Sequence, residues 1–132
     1  MQDMPPSQQL GAQRRIFRAD SDCFLPYAPY GGVAIDGLSW VKIDFDEHNR
    51  VGTYLLKFAP GAASMMHEHG ETEQFLIMDG QLIDCDGYFM NPGDFVRYDK
   101  GSQHSSRTVD GCTILVVLKG PNRKLGASGA PC

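Results

Sequence analysis

Residues 61–80 read Gly61-Ala62-Ala63-Ser64-Met65-Met66-His67-Glu68-His69-Gly70-Glu71-Thr72-Glu73-Gln74-Phe75-Leu76-Ile77-Met78-Asp79-Gly80. Two histidines two apart on an extended chain present both imidazoles to one face, because strand side chains alternate with a period of two. A carboxylate four residues further on, across a short bend, can reach the same point from the neighbouring strand. His67, His69 and Glu73 are therefore candidate ligands of one metal ion. A third imidazole from a distant strand would complete a mixed nitrogen and oxygen site, and the chain has only two more histidines, His48 and His104. His48 sits in the charged loop Asp46-Glu47-His48-Asn49-Arg50, which leaves His104 as the candidate. Taken singly, each of these residues could be ordinary surface polarity; the spacing together with His104 is what argues for a site. Glu68 and Glu71 are expected to point away from the ligands as surface charges.

On both sides of this stretch the chain reads as short strands. Segments 40–45 and 53–58 alternate in polarity. Beyond Gly61, Asp79-Gly80, Asp86-Gly87, Asp110-Gly111, Asn91-Pro92-Gly93-Asp94 and Asp99-Lys100-Gly101-Ser102 are turn signals. They delimit candidate strands at 73–78, 81–84, 95–98, 104–109 and 112–118. No segment shows sustained helical periodicity. Strands this short and this regularly punctuated predict an all-β antiparallel sandwich or barrel. The pattern alone does not choose between an immunoglobulin-like sandwich and a jelly roll.

With 132 residues the chain has room for one domain and a core that needs no disulfide. Cys23, Cys85, Cys112 and Cys132 are widely spaced, which reads as small buried hydrophobes and a frayed terminal residue rather than a disulfide framework. A reducing cytoplasm is then the default compartment, consistent with a polar start lacking signal-peptide architecture and with no apolar run long enough to span a membrane. A net charge of −4 argues against nucleic acid and anionic membranes, which call for a basic face, and favours a small-molecule partner. The expected organisation is a flexible N-terminal arm over 1–18, one domain over 19–120 and a C-terminal tail over 121–132.

The central stretch resembles the first motif of the cupin superfamily, the RmlC-like jelly rolls: Gly, five residues, His-x-His, three residues, Glu, six residues, Gly. Gly61, His67, His69, Glu73 and Gly80 satisfy every position. The second motif is met at Gly93, Gly101 and His104, with Asp99 where the family has Pro and Thr108 where it has Asn. Neither departure touches a ligand, though the turn before His104 is expected to differ. The resemblance implies a double-stranded β-helix, or jelly-roll β-barrel, with one divalent transition metal held by His67, His69, Glu73 and His104. Within the superfamily, 101–108 with Asp110-Gly111-Cys112-Thr113 is similar to the cupin domain of ChrR-type anti-sigma factors and to acetylacetone dioxygenase-like proteins. The sigma-binding helical domain of the former has no counterpart before Gly31.

Strand parity extends the site. An inward Glu73 brings Phe75 and Ile77 inward, an inward His104 brings Ser106 and Thr108, and Met65 shares the face of His67. Outward Thr53 and Lys57 imply inward Tyr54, Leu56 and Phe58. Tyr54, Phe58, Met65, Phe75 and Ser106 are accordingly candidates for a largely apolar substrate pocket, although core packing alone would account for most of them. Arg97 and Tyr98 lie on opposite faces of their strand; either could meet a substrate.

Three imidazoles and a carboxylate suit Fe(II), Zn, Mn, Ni or Cu, and the ligand list does not separate them. By family likeness the leading expectation is an Fe(II) dioxygenase cleaving a small ketone, diketone or hydroxy-ketone with O₂. Likeness to acetylacetone dioxygenase-type sites, which rely mainly on three histidines, implies that Glu73 is a weaker, displaceable ligand, whose charge and mobility give it a catalytic part in tuning substrate and O₂ binding. A metal-dependent isomerase or lyase, with Tyr54 or Tyr98 as base, and a non-enzymatic metal or ligand sensor stay open. Exposed sheet edges and a long polar arm favour a homodimer.

Overall fold

The computed structural model describes residues 6–128 and 132. The alternating run around Tyr54 becomes strand β3, Val51–Phe58, with Tyr54, Leu56 and Phe58 buried and Lys57 exposed. Before it in the chain come β1 (Leu25–Pro26) and β2 (Leu38–Asp46). After it come β4 (Met65–His69), β5 (Glu73–Gly80), β6 (Leu82–Asp84), β7 (Phe89–Met90) and β8 (Phe95–Tyr98). The last four are β9 (Gln103–His104), β10 (Ser106–Arg107), β11 (Cys112–Leu118) and β12 (Asn122–Ser128).

One layer is a six-stranded antiparallel sheet in the order β1-β2-β3-β11-β5-β8. Facing it are two three-stranded sheets, β10-β6-β7 and β12-β4-β9, tied by a bridge between Ala63 and Arg107. Side chains from both layers, among them Phe58, Phe75, Ile77, Leu82, Met90 and Val116, fill the interior. This is the all-β antiparallel architecture that the strand pattern predicts, and of its two forms it is the jelly-roll barrel implied by the cupin resemblance.

Gly80 shows why the first motif ends in glycine. It lies at φ +77, and a Cβ there would strike the carbonyl oxygen of Gly111, so only glycine lets β5 turn away from β11 at this point. Just before it, the β5–β11 register slips by one residue, leaving Met78 exposed after the buried Ile77.

Four expectations are corrected. The stretch 104–109 is not one strand: β9 pairs with β4 while β10 pairs with β6, so the chain changes partners at Ser105. The stretch expected as a tail is largely β12, whose Asn122, Arg123 and Lys124 pair with His69, Glu68 and His67. Its own residues are poor strand formers; the free edge of β4 supplies the pairing. The arm contains one short helix, α1, at Pro6–Gln13, while residues 1–5 lie outside the described residues. Finally, Cys85 and Cys132 form a disulfide with Cα atoms 5.2 Å apart, whereas Cys23 is an exposed thiol and Cys112 a buried one. The expectation of a reducing compartment loses the premise it rested on. Among the described residues no helix is long and apolar enough to cross a membrane.

Candidate metal centre

The two faces of β4 separate its residues cleanly. His67 and His69 are buried, His69 completely, while Glu68 between them faces outward and pairs with Arg123 at 3.0 Å. β9 runs antiparallel beside β4 in a register that sets His104 directly opposite His67. Glu73, the first residue of β5, enters from the other layer. One ligand atom from each of His67, His69, Glu73 and His104 lies within 4.8 Å of all the others.

Each imidazole is oriented by a partner on its Nδ1. His67 Nδ1–H donates to the carbonyl of Met65 at 2.6 Å. His69 Nδ1–H donates to Ser102 Oγ at 2.8 Å, and Ser102 in turn donates its own proton to the carbonyl of Asp99 at 2.6 Å. His104 Nδ1–H donates to Asp84 Oδ1 at 2.7 Å. All three rings are thereby held in the tautomer that turns an Nε2 lone pair into the cavity, the arrangement metal-ligating histidines adopt. His104 Nε2 is buried with no hydrogen-bond partner, as a ligand awaiting an ion would be. His69 Nε2 stands 2.8 Å from Glu73 Oε2. Two acceptors at that distance need a proton or a cation between them. The residues fit a divalent transition metal.

The electrostatics agree. Burial pushes the His67 imidazole down to about 4, so it is neutral and able to ligate near pH 7. Burial alone would raise the Glu73 carboxyl, but without an ion the proton shared with His69 Nε2 and the surrounding imidazoles bring it below the ordinary carboxylate range. Asn122 Nδ2 donates to its other oxygen, Oε1, at 3.3 Å. Burial likewise opposes ionisation of Asp84, and His104, Tyr98 and Ser106 overcome it.

Tyr54, Phe58, Met65, Phe75 and Ser106 all line the cavity at the ligand atoms, but that cavity measures only about 40 Å³. Phe58 and Phe75 therefore act chiefly as packed walls. Tyr98 is drawn inside, stacked on His69 with ring centroids 4.9 Å apart and planes 17° from parallel. Arg97 is exposed and reaches Asp99 at 3.5 Å. Glu71 pairs with Lys100, and His48 lies exposed in its loop. The turn before His104 closes without the family's proline, with Ser102 bonded to Asp99 through both its N–H and its hydroxyl.

Sequence reasoning missed Asp84, Ser102, Asn122 and Tyr27, the last a wall of the cavity at the ligand atoms. Asp84 and Ser102 read as turn and strand-end polarity, and Asn122 lies in the supposed tail. Tyr27 precedes the strands that the pattern defines. Only Ser102, two residues before His104, carried a signal that could have been followed.

The family model described as the ChrR cupin-like domain matches residues 23–121. No curated protein matches the chain. Among solved structures, the acetylacetone dioxygenase of Acinetobacter johnsonii is similar with TM-score 0.72 at 12% identity, over 85% of this chain and 78% of that one. A cupin-like protein of unknown function from Ralstonia eutropha is similar with TM-score 0.67 at 19% identity, over 88% and 80%. The polyketide cyclase RemF of Streptomyces resistomycificus is similar with TM-score 0.62 at 15% identity, over 84% and 86%. At these identities the likeness speaks for the fold. The family match spans three-quarters of the chain, and the chain belongs to the ChrR cupin-like family.

Proposed function

We propose that the protein is a metal-dependent dioxygenase that cleaves a carbon–carbon bond in a small ketone, diketone or hydroxy-ketone, with one Fe(II) per chain. The observation that carries the metal is the set of three imidazoles, each tied at Nδ1 and presenting Nε2 beside the buried Glu73 carboxylate. When bound, the ion would polarise a chelating keto or enol oxygen and, as iron, supply electrons to O₂. His67, His69, His104 and Glu73 would hold it. Glu73, held ionised by its surroundings, would bring a negative charge to the ion and so tune its binding of substrate and O₂. Asn122 holds Oε1 of that carboxylate in place. The apolar walls around Phe58, Phe75 and Val116 exclude water from the reacting end.

The choice of oxygenase over isomerase or lyase is supported by the fate of the two phenols. Tyr98 donates its proton to Asp84 Oδ2 at 2.7 Å, and Tyr54 is hydrogen-bonded to Tyr27. Burial raises both well above the ordinary phenol, which suits hydrogen-bond donors and not bases. A metal or ligand sensor is the second reading, favoured by the family description alone. Metal analysis of anaerobically purified protein, then O₂ uptake and product analysis against a panel of diketones, tests the proposal. Turnover without O₂ consumption would replace it with an isomerase or lyase; metal binding without turnover of any chelating substrate would favour the sensor.

The partners in this reading are a small molecule and O₂, with no nucleic acid or membrane. A homodimer is part of the proposal, supported by the exposed Leu10, Ile16 and Phe17 on the arm and by the open edges of β1 and β8. Sedimentation as a strict monomer at micromolar concentration would contradict it.

A further inference from the structure

The cavity at the ligand atoms, at about 40 Å³, has room for an ion and a few ligand atoms. Ordinary small-molecule sites occupy about 300–1,000 Å³. Next to it lies a second cavity of about 280 Å³, and the two share Tyr27, Tyr30, Tyr54 and Asn122 as walls. Of the two, the second is much the larger and has room for the body of a small organic molecule.

The chemistry of the second cavity is specific. Its inner wall is aromatic: the Trp40 ring lies 4.7 Å from Tyr27, 5.4 Å from Tyr54 and 5.8 Å from Phe45, centroid to centroid, all edge to face. Such a wall offers flat faces and edges to a planar guest. Two cations stand at the rim. Lys42 Nζ is neutralised by Glu47 at 2.5 Å and lies 4.5 Å over the Trp40 ring. Arg50 donates one N–H to the carbonyl of Pro29 at 2.7 Å, and among the described residues no carboxylate pairs with it. It closes the turn that joins β2 to β3, with its backbone in the left-handed region at φ +56. At the inner end, Asn122 gives its N–H to Glu73 while its Oδ1 is buried with no donor. A buried acceptor left in this way calls for a donor, which a ligand hydroxyl can supply.

We propose that this cavity is a second subsite that takes the body of the substrate, and that the substrate is the enol of a planar keto or hydroxy-keto acid, which narrows the ketone class above to one that carries a carboxylate. Its conjugated or aromatic body packs on Trp40 and Tyr54, its carboxylate pairs with Arg50, and its hydroxyl donates to Asn122 Oδ1. The subsite deepens the dioxygenase reading, resting on it for which end of the substrate reacts, but its binding chemistry is independent of any metal.

Trp40 is the only tryptophan of the chain, so its fluorescence reports on this cavity directly. The probe is 4-hydroxybenzoate, titrated into the protein without added metal, with the uncharged 4-hydroxybenzamide as comparison. The acid should change Trp40 emission saturably and bind at least tenfold more tightly than the amide. Arg50→Gln should weaken the acid at least tenfold and leave the amide unchanged. Replacing the probe's hydroxyl by methoxy should weaken binding in wild type. Absence of a saturable Trp40 response, equal affinity for acid and amide, or an acid affinity unmoved in Arg50→Gln would each overturn the subsite. Zn(II) binding is measured in a separate titration. Failure there with a normal 4-hydroxybenzoate response removes the metal reading and leaves the subsite standing; Zn(II) binding without a response does the reverse.

Discussion

Asp84 is where the metal centre is most open to attack from outside its ligand set. Its Oδ1 accepts from His104 Nδ1 at 2.7 Å and Ser106 Oγ at 2.8 Å, and its Oδ2 accepts from Tyr98 at 2.7 Å. Tyr98 in turn lies against His104, with centroids 4.2 Å apart, so one carboxylate fixes both the tautomer and the tilt of that ligand. Asp84→Asn keeps the shape but removes the charge and places an amide N–H where two donors already point. Either the amide turns its N–H toward Tyr98, which must then accept, or it turns it toward His104 and reverses the tautomer. Partners of this kind are worth about 10- to 100-fold in metal affinity, or about 1.4–2.7 kcal/mol. The carboxylate side chain is 15% exposed, so the metal-free protein should lose about 1–3 kcal/mol of stability as well. Zn(II) affinity by chelator competition, the melting temperature, and imidazole ¹⁵N shifts of His104 separate the two effects, since a purely structural loss would leave the tautomer alone. A variant that binds Zn(II) within twofold of wild type, with His104 still protonated at Nδ1, would refute the reasoning.

His104→Ala removes the imidazole that arrives from β9 and should lower metal occupancy sharply; Glu68→Gln, on the outer face of β4, should leave it unchanged, both read by metal analysis. Glu73→Gln keeps shape and an oxygen donor but not the charge, so it should retain a substantial share of its metal while activity per bound metal falls; an unchanged ratio would make Glu73 a holder only. Without metal, the depressed His67 pKa means the unfolded chain binds the proton first, so stability present above about pH 6.5 is lost progressively down to about pH 4. The loss amounts to about 3 kcal/mol, and chemical denaturation across that range measures it. The Cys85–Cys132 disulfide closes a separation of 47 residues, so Cys132→Ser should cost up to about 4 kcal/mol, and the unreduced wild type should show two thiols when denatured, Cys23 reacting first in the native state.

What could be read in advance was whatever strand periodicity controls. An inward Glu73 placed Phe75 and Ile77 inside by parity, outward Thr53 and Lys57 placed Tyr54 and Phe58 there, and the structure buries all four. Parity fails where the chain changes partners, because period two describes a strand and not the choice of neighbour. Ser105 sits at such a change, which is why β9 and β10 were read as one element. The same limit hid β12, whose pairing comes from the edge of β4 rather than from its own composition.

The residues that orient the ligands were illegible for a different reason. A metal ligand announces itself by type and spacing, since few side chains can serve and the ion requires several at once. The group behind it needs only to accept one hydrogen bond from an Nδ1, and this centre uses a main-chain carbonyl for His67, a hydroxyl for His69 and a carboxylate for His104. Three different chemistries for one task leave no shared pattern along the chain. They also grade the rings. A carbonyl and a hydroxyl are neutral acceptors, whereas Asp84 is ionised and strengthens His104 as a donor to the ion. The histidine furthest from the motif pair in sequence is thus the one the fold anchors with charge, and its displacement should cost the centre more than loss of the neutral partner behind His69.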